Sequence, residues 1–590
     1  MAAPRIIVIG GGLAGLSAVI KIAEAGGTVD LFSIVPVKRS HSVCAQGGIN
    51  AAKNLKGECD TTYKHFDDSI YGGDFLANQT PVKLMCEAAP AIIDLLDRMG
   101  VPFNRTPEGL LDFRRFGGTL YNRTAFAGAT TGQQLLYALD EQVRRYESEG
   151  KVKKYEGWEF LSAVIDSKGV ARGITALDLR TMELRSFPAG AVLLATGGIG
   201  AIFGKSTNSV VCTGSAQSAV FQQGVTYANG EFIQVHPTCI PGEDKLRLMS
   251  ESARGEGGRV WVPRTAGDKR LGRQIPEAER FYFLEEWYPK YGNLVPRDIA
   301  TRAIHKVVYE EGLGLDGQPM VYLDLTHIDR ATLDRKLGGI LDIYEKFVGD
   351  DPHEVPMKIF PGMHYTMGGV WVDFNQMTNI PGIYAIGECD YQYHGANRLG
   401  ANSLLSCIYA GFVAGPHALN YAKNLTAMEG DGGHAAEITR QAEINARLLK
   451  NEGEENPFKL WRELGDTMTK HATVIRYNKG LKQADEKIVE LLDRYKNVSL
   501  ADRSQWANTS FAFARQLKNM LELARVIAQG AMLRDESRGA HYKPDFPERN
   551  DEQFLKTTKA SYTDSGPRFE FEEVDTQFIQ PRRRSYDAAN

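Results

Sequence analysis

At roughly 100–200 residues per domain, a chain of 590 residues holds several domains, and its 43% hydrophobic and 24% charged residues are enough to bury a large core. With 69 basic and 73 acidic residues the formal charge is −4, which excludes a nucleic-acid binder acting through a general basic field. The 60 glycines exceed the usual share of about 7% and have no period of three, so collagen is excluded and sites of close backbone approach are expected.

The opening Met1-Ala2-Ala3-Pro4 is expected to carry no signal or transit peptide. Arg5 to Ile9 reads as a strand, Gly10-Gly-Gly12-Leu-Ala-Gly15 as a tight turn, and the alanine-rich stretch to about Gly26 as a helix. A strand from Thr28 to Ser33 completes a βαβ unit. The spacing of Gly10, Gly12 and Gly15 is that of a dinucleotide turn. The first glycine permits the turn, the second admits a pyrophosphate, and the third lets helix pack on strand. Ser33 stands where NAD enzymes carry a ribose-binding acid, and Asp30 comes too early, which favours FAD over NAD. The following loop, Val37 to Ile49, would run along the dinucleotide toward its reactive ring and contains Lys38, Ser40, His41, Gln46, Gly47 and Gly48. A histidine in such a loop is by default solvated, so the residues alone leave His41 open between that and a covalent or catalytic role.

Two further apolar strands end in glycine plus a small or acidic residue. Gly190 to Ala195 runs into Thr196-Gly197-Gly198, and Gly382 to Ile386 runs into Gly387-Glu388. Between them, residues 236–364 are richer in charge and aromatics and read as an inserted α+β domain over the ligand face. The apolar run Ser403 to Gly415 is too short to cross a bilayer and is followed by Pro416. Helical spacing returns in Leu481, Ala484, Ile488, Leu491 and Tyr495, and again in Phe513, Leu517, Met520, Ala524 and Ile527. From about Arg538 the chain turns polar, as a tail lying on a partner or on the protein's own surface would. The expected organisation is α/β. A Rossmann-like FAD-binding domain (1–235 and 365–430) is split by a capping, substrate-binding domain (236–364). A helical domain (431–537) and a docking tail (538–590) follow. The seven cysteines are scattered without a C-x-x-C, so no metal or iron–sulfur site is expected on this chain.

The run RSHSVCAQGGINAA resembles the flavin-attachment loop of succinate dehydrogenase and fumarate reductase flavoprotein subunits. The resemblance continues in order through HFDDSIYGGDFLANQ, FGGTLYNRTAFAGATTGQQLL, QVHPT, LMSESARGEGG, PRDIATR, HYTMGGV, GECDYQYHGANRLGANSLL and ESRGAHYKPDFPERND. It covers nearly the whole chain and is nearest to bacterial menaquinone-linked succinate dehydrogenases with a single di-haem cytochrome b anchor.

The resemblance implies FAD bound covalently through His41, whose imidazole would raise the flavin's potential enough to oxidise succinate. It implies that His236, Ser250, His364 and Arg398 hold the two substrate carboxylates. Ser250 replaces the family's usual threonine and keeps the hydroxyl. Arg297 becomes the proton shuttle, with Glu251 and Arg254 as its relay; without the resemblance, an Arg297 salt bridge to Asp298 or a glutamate is the plainer reading. Pro296 is expected at the first position of the helix bearing Arg297. Gly10, Gly12, Gly15, Ser33, Lys38, Ser40, His41, Gln46, Gly47, Gly48, Ala195, Thr196, Gly197, Glu388, Arg398, Ser403 and Leu404 would hold the cofactor. Asn402-Ser403 is expected to cap the helix that starts at Leu404 and points at the flavin's pyrimidine edge. Implied partners are an iron–sulfur subunit and, through it, a membrane-anchor cytochrome b, with the chain peripheral on the cytoplasmic face of the bacterial inner membrane. Fumarate reduction is the same chemistry reversed, and L-aspartate oxidase is a related alternative that would lack His41.

Overall fold

The computed structural model describes residues 4–242, 245–315, 318–426 and 431–586. Residues 1–3, where the expected absence of a leader would be read, and the boundary placed at 430 lie outside them.

The chain opens with β1 (Arg5–Ile9), α1 (Leu13–Glu24) and β2 (Thr28–Ser33), and later adds β3 (Val152–Glu156) and β4 (Ala191–Leu194). It then leaves for β5 (Ile233–Ile240), α2 (Arg297–His305) and β6 (Met357–Thr366), and returns with β7 (Ile383–Ala385) and α3 (Asn402–Lys423). The five-stranded sheet runs β7-β4-β1-β2-β3, with every pair parallel. Val8 at its centre faces Leu193 on one side and Leu31 on the other. β1 and β4 read as apolar runs because both faces of the sheet are covered there, whereas the edge strand β3 carries two lysines and a glutamate. The strands' carboxyl ends open on one edge, at Gly10, Ser33, Ala195 and Gly387. The sheet thus draws strands from both sides of the capping segment, as the Rossmann-like reading requires.

Within the capping segment, β5 and β6 pair antiparallel at the heart of a six-stranded sheet. A separate core that includes Val260, Ile304, Leu323, Leu341 and Ile359 lies under it. Pro296 is the N-cap of α2 rather than its first residue, which makes Arg297 that residue.

Pro416 does not end the apolar helix; α3 runs through it to Lys423. Backbone contact with α1 explains this. A Cβ at Gly411 would sit 2.6 Å from the Ala14 carbonyl oxygen, and one at Gly415 would sit 3.0 Å from that of Ala18. Packing this close outweighs the ~3 kcal/mol cost of an interior proline.

The helical spacings correspond to α4 (Asn478–Tyr495) and α5 (Thr509–Leu533), with Leu481, Ile488, Leu517, Met520 and Ile527 fully buried. The polar tail departs from expectation. Residues Arg538, His541 and Lys543 are buried, and β8 (Lys556–Ser561) and β9 (Arg568–Glu573) form a hairpin joined to Tyr227–Ala228 in a four-stranded sheet. Its charges were legible but their partners were not. Arg534 donates from Nε to Glu231 (2.8 Å) and from NH1 to Glu536 (3.0 Å). At the far end, Arg584 grips Asp298 at the start of α2 with both terminal nitrogens (2.5 and 3.0 Å).

Arg534 also donates to the carbonyls of Phe554 and Lys556 and to the Thr558 hydroxyl, so all five donors of its fork are used. Arg534→Met should therefore cost about 3–5 kcal/mol by stranding buried carboxylates, and Arg534→Lys should recover little of it. The midpoint of thermal unfolding, followed by circular dichroism, reads this out; an unchanged midpoint in either variant would contradict it.

Candidate active site

The site begins at the glycine turn. Gly10 has φ +116, and a Cβ there would lie 2.1 Å from the Ala195 carbonyl oxygen. A Cβ on Gly15 would lie 1.9 Å from the Gly10 oxygen, so this glycine serves helix packing and does not line the cleft. At Gly12 the nearest atom is the Ser42 hydroxyl at 3.1 Å, which leaves the backbone open to a ligand. Gly12 is also the N-cap of α1 and has no side chain of its own to cap it; the Leu13 amide donates to the Ser42 hydroxyl (3.2 Å), and the helix's positive dipole end faces the cleft, where it would favour an anion.

From this turn a cleft of about 430 Å³ runs between the sheet edge and the capping segment. Gly10, Gly12 and Ser33 line it at one end. Ser40, His41, Gln46, Gly47 and Gly48 line it along the loop after β2, and Ala195, Thr196 and Gly197 after β4. Glu388, Ser403 and Leu404 close the opposite side. The hydroxyls of Ser40 and Thr196 and the Gln46 side-chain oxygen are buried with no protein partner. An elongated ligand rich in phosphate oxygens and hydroxyls meets those needs, so the residues present fit a dinucleotide such as FAD.

Lys38 departs from expectation. It is off the cleft wall, with its ammonium 3.8 Å from both Asp140 and Glu141 and over the Tyr137 ring. Two carboxylates and an aromatic face on the neighbouring helix outcompete the cleft. The Asn402-Ser403 cap is likewise different. Ala401 is the N-cap of α3, in a left-handed conformation, and no side chain caps the helix. Ser403 instead accepts from Arg398 NH1 (3.0 Å).

His41 sits within the cleft, where its Nδ1 accepts from the Ser209 amide (3.2 Å). Burial, and then the charge of Lys245, push its pKa down to about 4, so the ring is neutral near pH 7. Burial lifts Glu388 to about 7 against the Thr366 amide and the charge of Arg398.

A second group of residues converges beside this wall. His236 from β5 and His364 from β6 approach with ring centroids 5.0 Å apart. Burial, reinforced by the Arg297 charge, holds both well below the usual histidine range. The Thr238 amide donates to His236 Nδ1 (3.2 Å), which places the proton on Nε2, and Nε2 is buried with no partner. Arg398 lies over the Tyr365 ring at 4.2 Å with its Nε unpaired; burial, and then Arg297, push it down to about 9. Ser250 lines the same wall, 2.9 Å from the Ser252 hydroxyl.

Arg297 donates from Nε and NH2 to one oxygen of Glu251 (3.0 and 2.8 Å). The other oxygen accepts from Arg254 NH2 (2.6 Å), and Arg254 NH1 reaches the Asn293 carbonyl (2.7 Å). Arg297 and Glu251 line the cleft, whereas Arg254 lies behind them. Burial alone would raise the Glu251 carboxyl, but Arg297 and Arg254 overcome it and hold the group below the usual glutamate range. Asp298, the other acid proposed for Arg297, is taken by Arg584 instead.

Two residues of the site escaped the sequence reading. Gln234 accepts from Arg297 NH1 (2.9 Å); its place two residues before His236 on a strand puts it on the same face and was the available signal. Thr207 fixes His364 through Nδ1 (2.7 Å), and nothing local in the sequence marks it.

Comparison with known proteins agrees with this geometry. Residues 5–404 match the FAD binding domain family, and residues 461–586 match the C-terminal family of fumarate reductase flavoproteins. The chain is 61% identical to the succinate dehydrogenase flavoprotein subunit of Bacillus subtilis, over 99% of both chains. It is 34% identical to the fumarate reductase flavoprotein subunit of Escherichia coli K12, over 98% of this chain and 95% of that one. Its structure superposes on an E. coli quinol fumarate reductase flavoprotein with a TM-score of 0.92 at 31% identity, covering 100% of this chain and 99% of the other. With a dinucleotide-sized cleft at the sheet edge and the arginine-held Glu251 beside it, the chain belongs to the succinate dehydrogenase and fumarate reductase flavoproteins, a family of FAD-dependent oxidoreductases.

Proposed function

We propose that the chain is the catalytic flavoprotein subunit of a succinate:quinone oxidoreductase and converts succinate to fumarate. The observation that carries this reading is the buried series Arg297–Glu251–Arg254, whose first two members line the cleft together with His236, His364 and Arg398. Three guanidiniums less one ionised carboxylate leave a local charge of +2, matched to a dicarboxylate dianion. The neutral histidines add donors without adding charge.

When bound, FAD supplies a hydride acceptor along the cleft. Arg398, the His236 Nε2–H, Ser250 and His364 bind the two substrate carboxylates, which orients a carbon–carbon bond between the cofactor and Arg297. Arg297 moves the proton at the substrate carbon. An arginine normally keeps its proton, with a pKa above about 12, so the transfer must be concerted with the redox step. Glu251 is poised for this, because it accepts from Arg297 on one oxygen and meets Arg254 on the other. The relay then leads through Arg254 past the Asn293 carbonyl.

His41 is assigned the covalent link to FAD; its imidazole is neutral, as a ring nitrogen that bonds to carbon requires. Electrons would pass to an iron–sulfur subunit and on to a membrane-anchor cytochrome b. No helix among the described residues is long and apolar enough to cross a membrane, so attachment at the cytoplasmic face of the inner membrane would run through those partners. The 61% identity to a succinate dehydrogenase subunit supports succinate oxidation as the working direction.

Arg297→Ala should lower turnover by at least the ~10²–10⁴ typical of a lost general acid–base while leaving malonate affinity measurable. Near-normal turnover would refute the shuttle. His41→Ser should still bind FAD and reduce fumarate but oxidise succinate poorly, and should show no flavin fluorescence on denaturing gels. Retained fluorescence on the gel would exclude His41 as the link.

A further inference from the structure

The segment from Arg398 to Ser403 carries a substrate-binding arginine and leads into α3, and at its centre Ala401 has φ +64. This is the left-handed region, where the Cβ of an L-residue is disfavoured. A group of almost fully buried polar residues holds the turn there. The Asn50 backbone amide donates to the Ala401 carbonyl (3.2 Å). Its side-chain Nδ2 donates to the Gly400 carbonyl and to Asn402 Oδ1, both at 2.8 Å. Thr124 donates to Asn50 Oδ1 (2.6 Å), and Asn402 Nδ2 donates to the Ser69 hydroxyl (2.8 Å). His65 Nε2 lies 2.9 Å from Asn402 Oδ1 and, since that oxygen is an acceptor, carries the proton. Asn50, His65 and Asn402 do not line the cleft, whereas Ala401, Ser403 and Leu404 do.

We propose that Asn50 is a positioning residue of the active site. Its amide groups clamp the left-handed turn at Ala401 and thereby fix Arg398 and the first amides of α3 against the ligands. The proposal rests on the reading of Arg398 as a carboxylate-binding residue. The turn has little room to move in any other way. A Cβ on Gly400 would lie 3.0 Å from the Glu251 carboxylate and 3.1 Å from the Gly117 carbonyl. Without the clamp, Ala401 relaxes toward the right-handed region and carries Arg398 off its position.

The test uses the assembled holoenzyme and reads malonate affinity, kcat and KM separately, and the flavin midpoint potential. Asn50→Ala should weaken malonate binding and lower kcat/KM by roughly 10- to 100-fold, the scale of an ångström-sized misplacement. Asn50→Asp, which keeps the acceptor for Thr124 but loses both Nδ2 donations, should behave like Asn50→Ala. The decisive arm adds Ala401→Gly to Asn50→Ala. Glycine adopts φ +64 without penalty, so the double variant should recover several-fold in malonate affinity over Asn50→Ala alone. A purely structural role predicts no such recovery. If Asn50→Ala does not accumulate as holoenzyme, His65→Gln, which keeps a donor toward Asn402, should retain more malonate affinity than His65→Ala. Wild-type malonate affinity in Asn50→Ala, no recovery in the double variant, or equal His65 variants would overturn the clamp. Arg398→Ala is measured beside them. Normal malonate binding there would overturn the reading of the site and the clamp with it, whereas a defect there with a normal Asn50→Ala would overturn the clamp alone.

Discussion

Glu251 is a carboxylate removed from water and held ionised only by the guanidiniums on either side of it. Taking three such charges into a protein interior is costly unless geometry and hydrogen bonds are nearly complete. Here they are: both oxygens of Glu251 accept charged donors, and Arg254 and Arg297 find further acceptors in Asn293 and Gln234. What stays uncompensated is positive charge on the cleft side, together with unpaired nitrogens on Arg398 and His236 and, behind the wall, the Arg254 Nε. The site is therefore complementary to a dianion before one arrives, and the electrostatic work of excluding water has been done in folding.

This arrangement dictates the architecture around it. The cofactor turn must sit at the carboxyl edge of a parallel sheet, where strand ends and helix amides converge. The proposed proton donor must come from another layer so that substrate lies between the two. The fold meets both demands by sending the chain out of the sheet after β4 and back at β7, with Arg297 on the excursion and Arg398 on the return. Gln234 ties these halves together, since its side-chain amide donates to the Arg398 carbonyl while its oxygen accepts from Arg297.

Much of this was legible in the sequence because its causes are local. The glycine turn needs glycines at fixed spacing, and the inner strands announce themselves as apolar runs ending in glycine. Where the cause is a contact between distant segments, the reading failed. Lys38 is next to cofactor-lining residues in sequence, yet a helix about a hundred residues later captures it. Pro416 looks like a stop, and only the backbone contacts of α3 with α1 overrule it. The C-terminal region looks like a docking tail because its arginines and glutamates are counted one by one, although they are buried as pairs. Asn402 reads as a cap, but its real partners, Asn50 and His65, lie more than three hundred residues upstream.

The pairing of Arg584 with Asp298 has a consequence for the order of assembly. Asp298 is fully buried and next to Arg297, and its bidentate cation is contributed by residues at the far end of the chain. A ribosome delivers the capping segment long before it delivers that arginine. Until Arg584 has been made, the carboxylate lacks its bidentate partner and has only the Asn397 side-chain amide (3.1 Å) and the more distant Arg302 beside it. A nascent chain can thus form its parallel sheet early, but the buried ion pair at the start of α2 closes only once Arg584 has emerged.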